Sequence, residues 1–208
     1  MNKENNLLFN KKIVNIKMLK ILIISCVFPP EPVVSAKLSY DIADALSENN
    51  LVTVISPRPS RPFGNEFSNN ISGFNFKHEQ AQSFIHPLSN ILGRFKESYS
   101  FGQYCYKYIT KQHQNIDVIY ANTWPLLGQY FAVKASKTFN IPIIIHVQDI
   151  YPESLSKKIP IGTKLLTWAL MPLDKYVLKH ATKVIFISQK MKDYPFYQIE
   201  SEQIHEVG

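Results

Sequence analysis

His146 closes the most apolar run of the chain, IPIIIHV, and stands three residues before Asp149 and seven before Glu153. An imidazole in such a place can donate or accept a hydrogen bond without a fixed charge. Carboxylates close behind it can take protons or hydrogen bonds from hydroxyl groups. The trio suits chemistry on a hydroxyl-bearing ligand, with His146 and Asp149 as the candidate catalytic groups and Glu153 beside them. A plainer account is open as well. A lone histidine at the end of an apolar strand can have its ring satisfied in the core. Asp149 and Glu153 can cap the next helix or pair with Lys157 and Lys158. Asn122 and Trp124 follow a second apolar run. They can line a pocket, the indole stacking on a ring face, or simply fill a packed turn ahead of Pro125.

These residues need a frame that carries them to one edge. Lys20–Ser25 and Leu51–Ser56 are short, β-branched apolar runs that read as buried parallel strands. Ile71–Lys77 reads as a weaker, more polar third strand. Asp117–Ala121, Ile141–Val147 and Lys183–Ser188 complete the strand set. Helices are expected from an N-cap at Ser35, with Leu38, Ile42, Ala45 and Leu46 on one face. Others fall at Ile91–Gln112, Leu126–Phe139, Ile161–His180 with a bend at Pro172, and Gln189–Tyr194. This alternation specifies an α/β fold: a doubly wound, mostly parallel, Rossmann-like sheet of six or seven strands with right-handed crossovers. Ligands bind such sheets at the carboxyl ends of the strands. Those ends are Ser25 to Pro32, Ala121 to Pro125, His146 to Glu153, and Ser188 to Lys190.

Composition narrows the function classes. The 208 residues fit one domain, and 45% apolar with 19% charged is an ordinary globular balance. A net charge of +7 favours anionic partners. The charge is spread thinly, so a nucleic-acid arm is not expected. No apolar stretch approaches the ~18 residues of a spanning helix. The leader MNKENNLLFNKKIVNIK has no apolar core and no cleavage site, and does not read as a signal peptide. Residues 1–17 are expected to be a disordered leader and 18–208 the folded domain. Cys26 and Cys105 have no metal-ligand spacing and read as small buried hydrophobes in a reducing cytoplasm. The histidines likewise lack metal spacing.

The first turn reads SCVFPPEPVVSAK, Ser25 to Lys37. A dinucleotide-binding fold carries G-x-G-x-x-G here, so that backbone amides approach a pyrophosphate. No glycine occurs before Gly64, which disfavours a nicotinamide or flavin cofactor. An apolar strand, F-P-P-E and a charged-faced helix resemble the opening of family 4 glycosyltransferases of the two-Rossmann (GT-B) type. Ile119–Ser154, IYANTWPLLGQYFAVKASKTFNIPIIIHVQDIYPES, is similar to their run into an acceptor-site His and a Gln-Asp-x-x-Pro-Glu turn. Leu173–Tyr194, LDKYVLKHATKVIFISQKMKDY, is similar to the helix and strand near their domain junction. The resemblance extends from about Met18 to the C-terminus. One departure stands out: where the family has glycine after F-P-P-E, this chain has Pro32, Val33, Val34, Ser35 and Ala36. Donor-phosphate contact through Pro32 and Ser35 then depends on a hydroxyl or amide of Ser35 at the helix start.

The resemblance implies the N-terminal, acceptor-side domain of a retaining glycosyltransferase similar to those of capsule and O-antigen synthesis. Such an enzyme moves a sugar from a nucleoside diphosphate sugar to a polyprenyl-linked or saccharide acceptor, with no metal or cofactor. His146 would lie beside the reacting sugar, and Asn122, Trp124 and Glu153 would line the acceptor pocket. The family's donor-binding second domain, with its Glu-x7-Glu element, has no counterpart here, so the chain is expected to be an inactive half. The alternative class is a non-catalytic acceptor or membrane-docking subunit that recruits a separate donor-binding protein. An epimerase of the same two-domain fold is disfavoured by the Gln-Asp-Ile-Tyr-Pro-Glu run. Lys157, Lys158, Lys164, Trp168, Lys175 and Lys179 make a basic, aromatic stretch suited to an anionic membrane surface. A cytoplasmic protein, peripheral on the inner face of the membrane, is the expected setting; lysines on a helix packed against the sheet and solvated are the plainer one.

Overall fold

The computed structural model describes residues 17–62, 67, 73–86, 91–122, 126–148, 163–193 and 204–206, with the backbone alone for 91, 163–169 and 204–206. Its strands are β1 (Lys20–Ile24), β2 (Leu51–Pro57), β3 (Lys77–Ala81), β4 (Val118–Asn122), β5 (Ile143–Val147), β6 (Lys183–Phe186) and β7 (Ile204–Glu206). They form one parallel sheet in the order β3-β2-β1-β4-β5-β6-β7. Its helices are α1 (Val34–Ser47), α2 (Ile91–Gln112), α3 (Leu126–Phe139), α4 (Thr163–His180) and α5 (Gln189–Lys192).

The chain leaves β1 toward β3 on one side and returns to build β4 to β7 on the other. Right-handed crossovers in opposite directions place their helices on opposite faces. Alternating strand residues obey this. Ile21, Ile23, Val52, Val54 and Tyr120 face Ala43, Tyr40 and Leu46 of α1. Leu22, Ile119, Ile143, Ile145 and Val147 face Phe101, Cys105 and Ile109 of α2, Ala132 and Val133 of α3, and Val177 of α4. Strands buried on both faces must be apolar at every position, which is why they were legible as apolar runs. At Gly102 the α2 backbone lies against α3. A Cβ there would sit 2.6 Å from the Phe131 ring and 2.8 Å from the Leu127 carbonyl oxygen.

Several sequence expectations are corrected. The third strand is Lys77–Ala81, not Ile71–Lys77. Phe74 and Phe76 drop instead into an aromatic cluster with Phe28 and Tyr40 on the α1 face. An edge strand tolerates the polar KHEQ that follows, because only its Ala81 end is buried. Val33, not Ser35, stands at the α1 N-cap, with no side-chain cap; Ser35 is the helix's second residue. β5 starts at Ile143, since Pro142 has no N–H for the ladder. β6 ends at Phe186, and Ser188 leaves the sheet to cap α5, its Oγ accepting from Met191 N at 3.3 Å. α5 is correspondingly shorter than expected and ends at Lys192. α4 runs through Pro172 without ending.

Candidate active site at the carboxyl edge of the sheet

The strand order reverses between β1 and β4, and open α/β sheets bind ligands at that crevice. Here the protein's own side chains fill it. Asn122, the last residue of β4, donates its amide to Ser39 Oγ at 2.5 Å and Ser25 Oγ at 3.2 Å. Ser25 donates to the Val27 carbonyl at 2.7 Å, and Ser39 to the Ser35 carbonyl at 2.7 Å. Gln129 of α3 donates to the Asn122 carbonyl at 3.1 Å. Asn122 therefore ties β4 to β1 and α1. Its Oδ1 alone is buried without a hydrogen-bond partner.

His146 lies beside Asn122, paired with it in register across β4 and β5. The resemblance sets His146 beside the reacting sugar; its ring is only 6% exposed, on the α1 face of the sheet. The Tyr120 hydroxyl, two residues earlier on β4, hydrogen-bonds Nδ1. The Gln148 amide stands 3.4 Å from the same nitrogen. Burial holds the His146 pKa below the usual imidazole range and raises that of Tyr120, so both groups are neutral near pH 7. In the tautomer that accepts the Tyr120 proton at Nδ1, the ring carries its own proton on Nε2.

A second cluster occupies the ends of β1, β2 and β3 beside the start of α2. Glu31, Arg61, Arg94, Glu97, Ser83 and Cys26 are among the residues lining a partly open cavity of about 40 Å³. Arg61 pairs with Glu97 at 2.9 Å. Glu97 also accepts the His86 N–H at 2.6 Å, tying down the chain after β3. Glu31 Oε1 accepts the N–H groups of Ser60 and Arg61 at 2.7 and 3.1 Å. Burial raises the Glu31 pKa, against the pull of those N–H groups and the Arg61 charge. Poor solvation likewise pushes the Cys26 thiol up to about 12, so it is no nucleophile near neutral pH. Sequence reasoning assigned none of these side chains to a site, nor Tyr120. Only Glu31 carried a signal, as the acid of F-P-P-E.

Trp124, Asp149, Glu153, Lys157 and Lys158 lie outside the described residues, as do the side chains of Lys164 and Trp168. Pro32 is exposed beside Val33 and Val34, and Ser35 is partly buried in the first turn of α1. Lys175 and Lys179 project to solvent, while Leu170, Val177 and Leu178 of α4 pack into the core. Among the described residues no helix is long and apolar enough to cross a membrane. Nor, among them, do three or more His, Cys, Asp or Glu side chains gather as a metal-ligand set.

A sucrose-phosphate synthase of Thermosynechococcus elongatus shares the fold: TM-score 0.62 at 14% identity, over 89% of this chain and 47% of that one. HepE of Anabaena, solved with UDP and glucose, superposes at 0.54 with 19% identity, over 91% and 44%. An Arabidopsis thaliana UGT complexed with UDP-L-rhamnose superposes at 0.54 with 15% identity, over 92% and 49%. The chain spans about half the length of these structures. Its sheet is thus one Rossmann-like half of a GT-B architecture. No curated protein matches the sequence significantly. Residues 36–198 match a family profile that covers most of the chain, from the first turn of α1 past α5, and the chain belongs to Glycosyltransferase Family 4.

Proposed function

We propose that this chain is the N-terminal, acceptor-side domain of a retaining glycosyltransferase. The enzyme moves a sugar from a nucleoside diphosphate sugar to a lipid-linked or saccharide acceptor in bacterial surface polysaccharide synthesis. The observation that carries the reading is His146: a neutral imidazole held by Tyr120 at the carboxyl end of β5, in a chain of this family. A fixed neutral N–H donor can orient a sugar hydroxyl or a leaving phosphate oxygen with little reorganisation as charge develops. The solved structures of like fold that hold UDP or UDP-sugars support a nucleotide sugar as donor.

In this reading Asp149 acts beside His146, and Asn122, Trp124 and Glu153 line the acceptor side. Asn122 does so through Oδ1, since its amide nitrogen is spent on Ser25 and Ser39. The bare N-terminus of α1, with Pro32 and Ser35, adjoins the donor phosphate. A second domain, beyond the Rossmann-like unit of residues 18–208, supplies most of the donor contacts, so this chain alone does not turn over. Calorimetry of the chain with UDP- and GDP-sugars is expected to give weak or no binding. Submicromolar binding overturns that division of labour.

The solvent-facing Lys175 and Lys179 of α4, continued by Lys157, Lys158, Lys164 and Trp168, dock on the inner face of the cytoplasmic membrane. Co-sedimentation with phosphatidylglycerol vesicles is expected at low salt. It is expected to be lost near 1 M salt, where the Debye length is only ~3 Å. Equal pelleting with neutral vesicles refutes the docking.

A further inference from the structure

Glu31 does two things, and only one of them is structural. Through Oε1 it accepts the N–H groups of Ser60 and Arg61 and fastens the loop after β2 to the loop after β1. A glutamine would serve that purpose without the cost of a buried charge. The residue is 7% exposed, and its second oxygen, Oε2, is buried with no hydrogen-bond partner. Ser83 Oγ is in the same condition, and both residues line the cavity between the β1–β3 loops and α2. Buried polar atoms in native proteins almost always have partners, so two orphans on one cavity point to something that occupies it.

From these orphaned atoms we infer that the cavity is a subsite for a neutral, hydroxyl-bearing group, the edge of a saccharide, with Glu31 Oε2 and Ser83 Oγ as its hydrogen-bonding groups. The charges in the lining balance, two arginines against two glutamates, which disfavours an anion. Oε2 is an acceptor only, so it calls for an O–H donor, and a hydroxyl serine can donate or accept beside it. A cavity of about 40 Å³ has room for a pair of hydroxyl groups and not for a ring. The sugar would therefore present an edge and leave its body outside. Identifying that sugar as part of the acceptor rests on the transferase reading above; the subsite itself does not.

The test uses Glu31→Gln and Ser83→Ala in the full-length protein. Glu31→Gln keeps an oxygen for Ser60 and Arg61 and replaces the orphan acceptor with a donor. The probes are methyl glycosides of neutral hexoses and N-acetylhexosamines at about 10 mM, enough to fill a site of millimolar Kd. Binding is read by saturation-transfer NMR. The wild type is expected to bind at least one of them. Glu31→Gln is expected to weaken that binding about tenfold or more, the size of one hydrogen bond to a charged group. Its melting temperature should stay the same or rise. Ser83→Ala should weaken the same ligand several-fold and leave the fold intact.

No binding by the wild type would mean that the cavity holds water alone, and overturns the subsite. Unchanged binding in Glu31→Gln does the same. Lost binding together with a fall in melting temperature marks Glu31 as structural, unless Ser83→Ala, still folded, also loses the ligand. Transfer assays separate this inference from the larger one. Saccharide binding that depends on Glu31, with no transfer from any nucleotide sugar, would sink the transferase reading alone. Transfer with an acceptor KM indifferent to Glu31→Gln would sink the subsite alone.

Discussion

The carboxyl edge of this sheet has two halves that treat polar side chains in opposite ways. Around β1, β4 and β5 the groups are uncharged and largely satisfy one another: Asn122 with Ser25 and Ser39, Gln129 with the Asn122 carbonyl, Tyr120 with His146. Around the ends of β1, β2 and β3 the groups are charged, and Glu31 Oε2 and Ser83 Oγ are buried atoms left over. A network that closes on itself, save for Asn122 Oδ1, fixes geometry. A pocket with atoms to spare holds a place for something else. Removing a member of the first should cost stability, with activity following where the group also touches the ligand. Removing a spare atom of the second should cost binding alone.

The largest effect is expected at His146, where both consequences meet. In the transferase proposed above, His146→Ala should lower turnover by ~10²-fold or more, the scale of losing one preorganised donor. Because the ring is buried against Tyr120, the variant should also melt a few degrees lower, from the hydroxyl left unpaired. Transfer rate is therefore compared per folded molecule. A wild-type rate in the folded fraction would reduce His146 to a core residue and remove the main support of the proposed active site.

Asn122→Ala should come next, as the largest loss of stability. It strips Ser25 and Ser39 of their shared donor and unties β4 from α1. A cost of ~1–3 kcal/mol per buried group left unsatisfied predicts a melting temperature lower by roughly 3–10 °C in a domain this size. Calorimetry of the variant measures it. A drop no larger than that of Glu31→Gln would erase the distinction between the two halves. Tyr120→Phe sharpens the same distinction with a smaller change, because it keeps the ring and removes the hydroxyl that hydrogen-bonds His146 Nδ1. Turnover about tenfold lower with donor and acceptor KM unchanged is expected of a positioning residue. An unchanged rate and pH profile would detach Tyr120 from the chemistry.

The difference between the halves also explains what was legible in the sequence. The frame was, because strands buried on both faces must be written as apolar runs such as KILII and IIIHV. β3 was misplaced because its edge position relaxes that demand, while Phe74 and Phe76 mimicked a strand and belong to an aromatic cluster. His146 and Asn122 stood out because each is the polar terminus of an apolar run. The charged pocket had no such mark. Glu31, Arg61, Ser83, Arg94 and Glu97 come from three connections and a helix, and no spacing joins them. Only the parallel packing of β1, β2 and β3 brings them together.

The smallest effects are pH slopes, and the two halves should differ in sign. Burial lowers the His146 pKa from its ordinary 6.5, so below that pH the unfolded chain takes a proton that the folded chain resists. Stability contributed by the neutral ring is present above pH 6.5 and lost as pH falls toward the folded value. Burial raises the Glu31 pKa above its ordinary 4.5, so the folded chain holds the proton longer than the unfolded one. Stability on that account is present below pH 4.5 and lost as pH rises through the folded value. Denaturant titrations of wild type, His146→Gln and Glu31→Gln between pH 4 and 8 should separate the two. The histidine variant should flatten a rise of stability with pH near 6, and the glutamate variant should flatten a fall with pH just above 4.5. If Glu31→Gln lost stability at pH 7 relative to wild type, its carboxylate would be an asset of the fold, and the idea of an acid kept for a ligand would go with it unless Ser83→Ala, still folded, also lost the ligand.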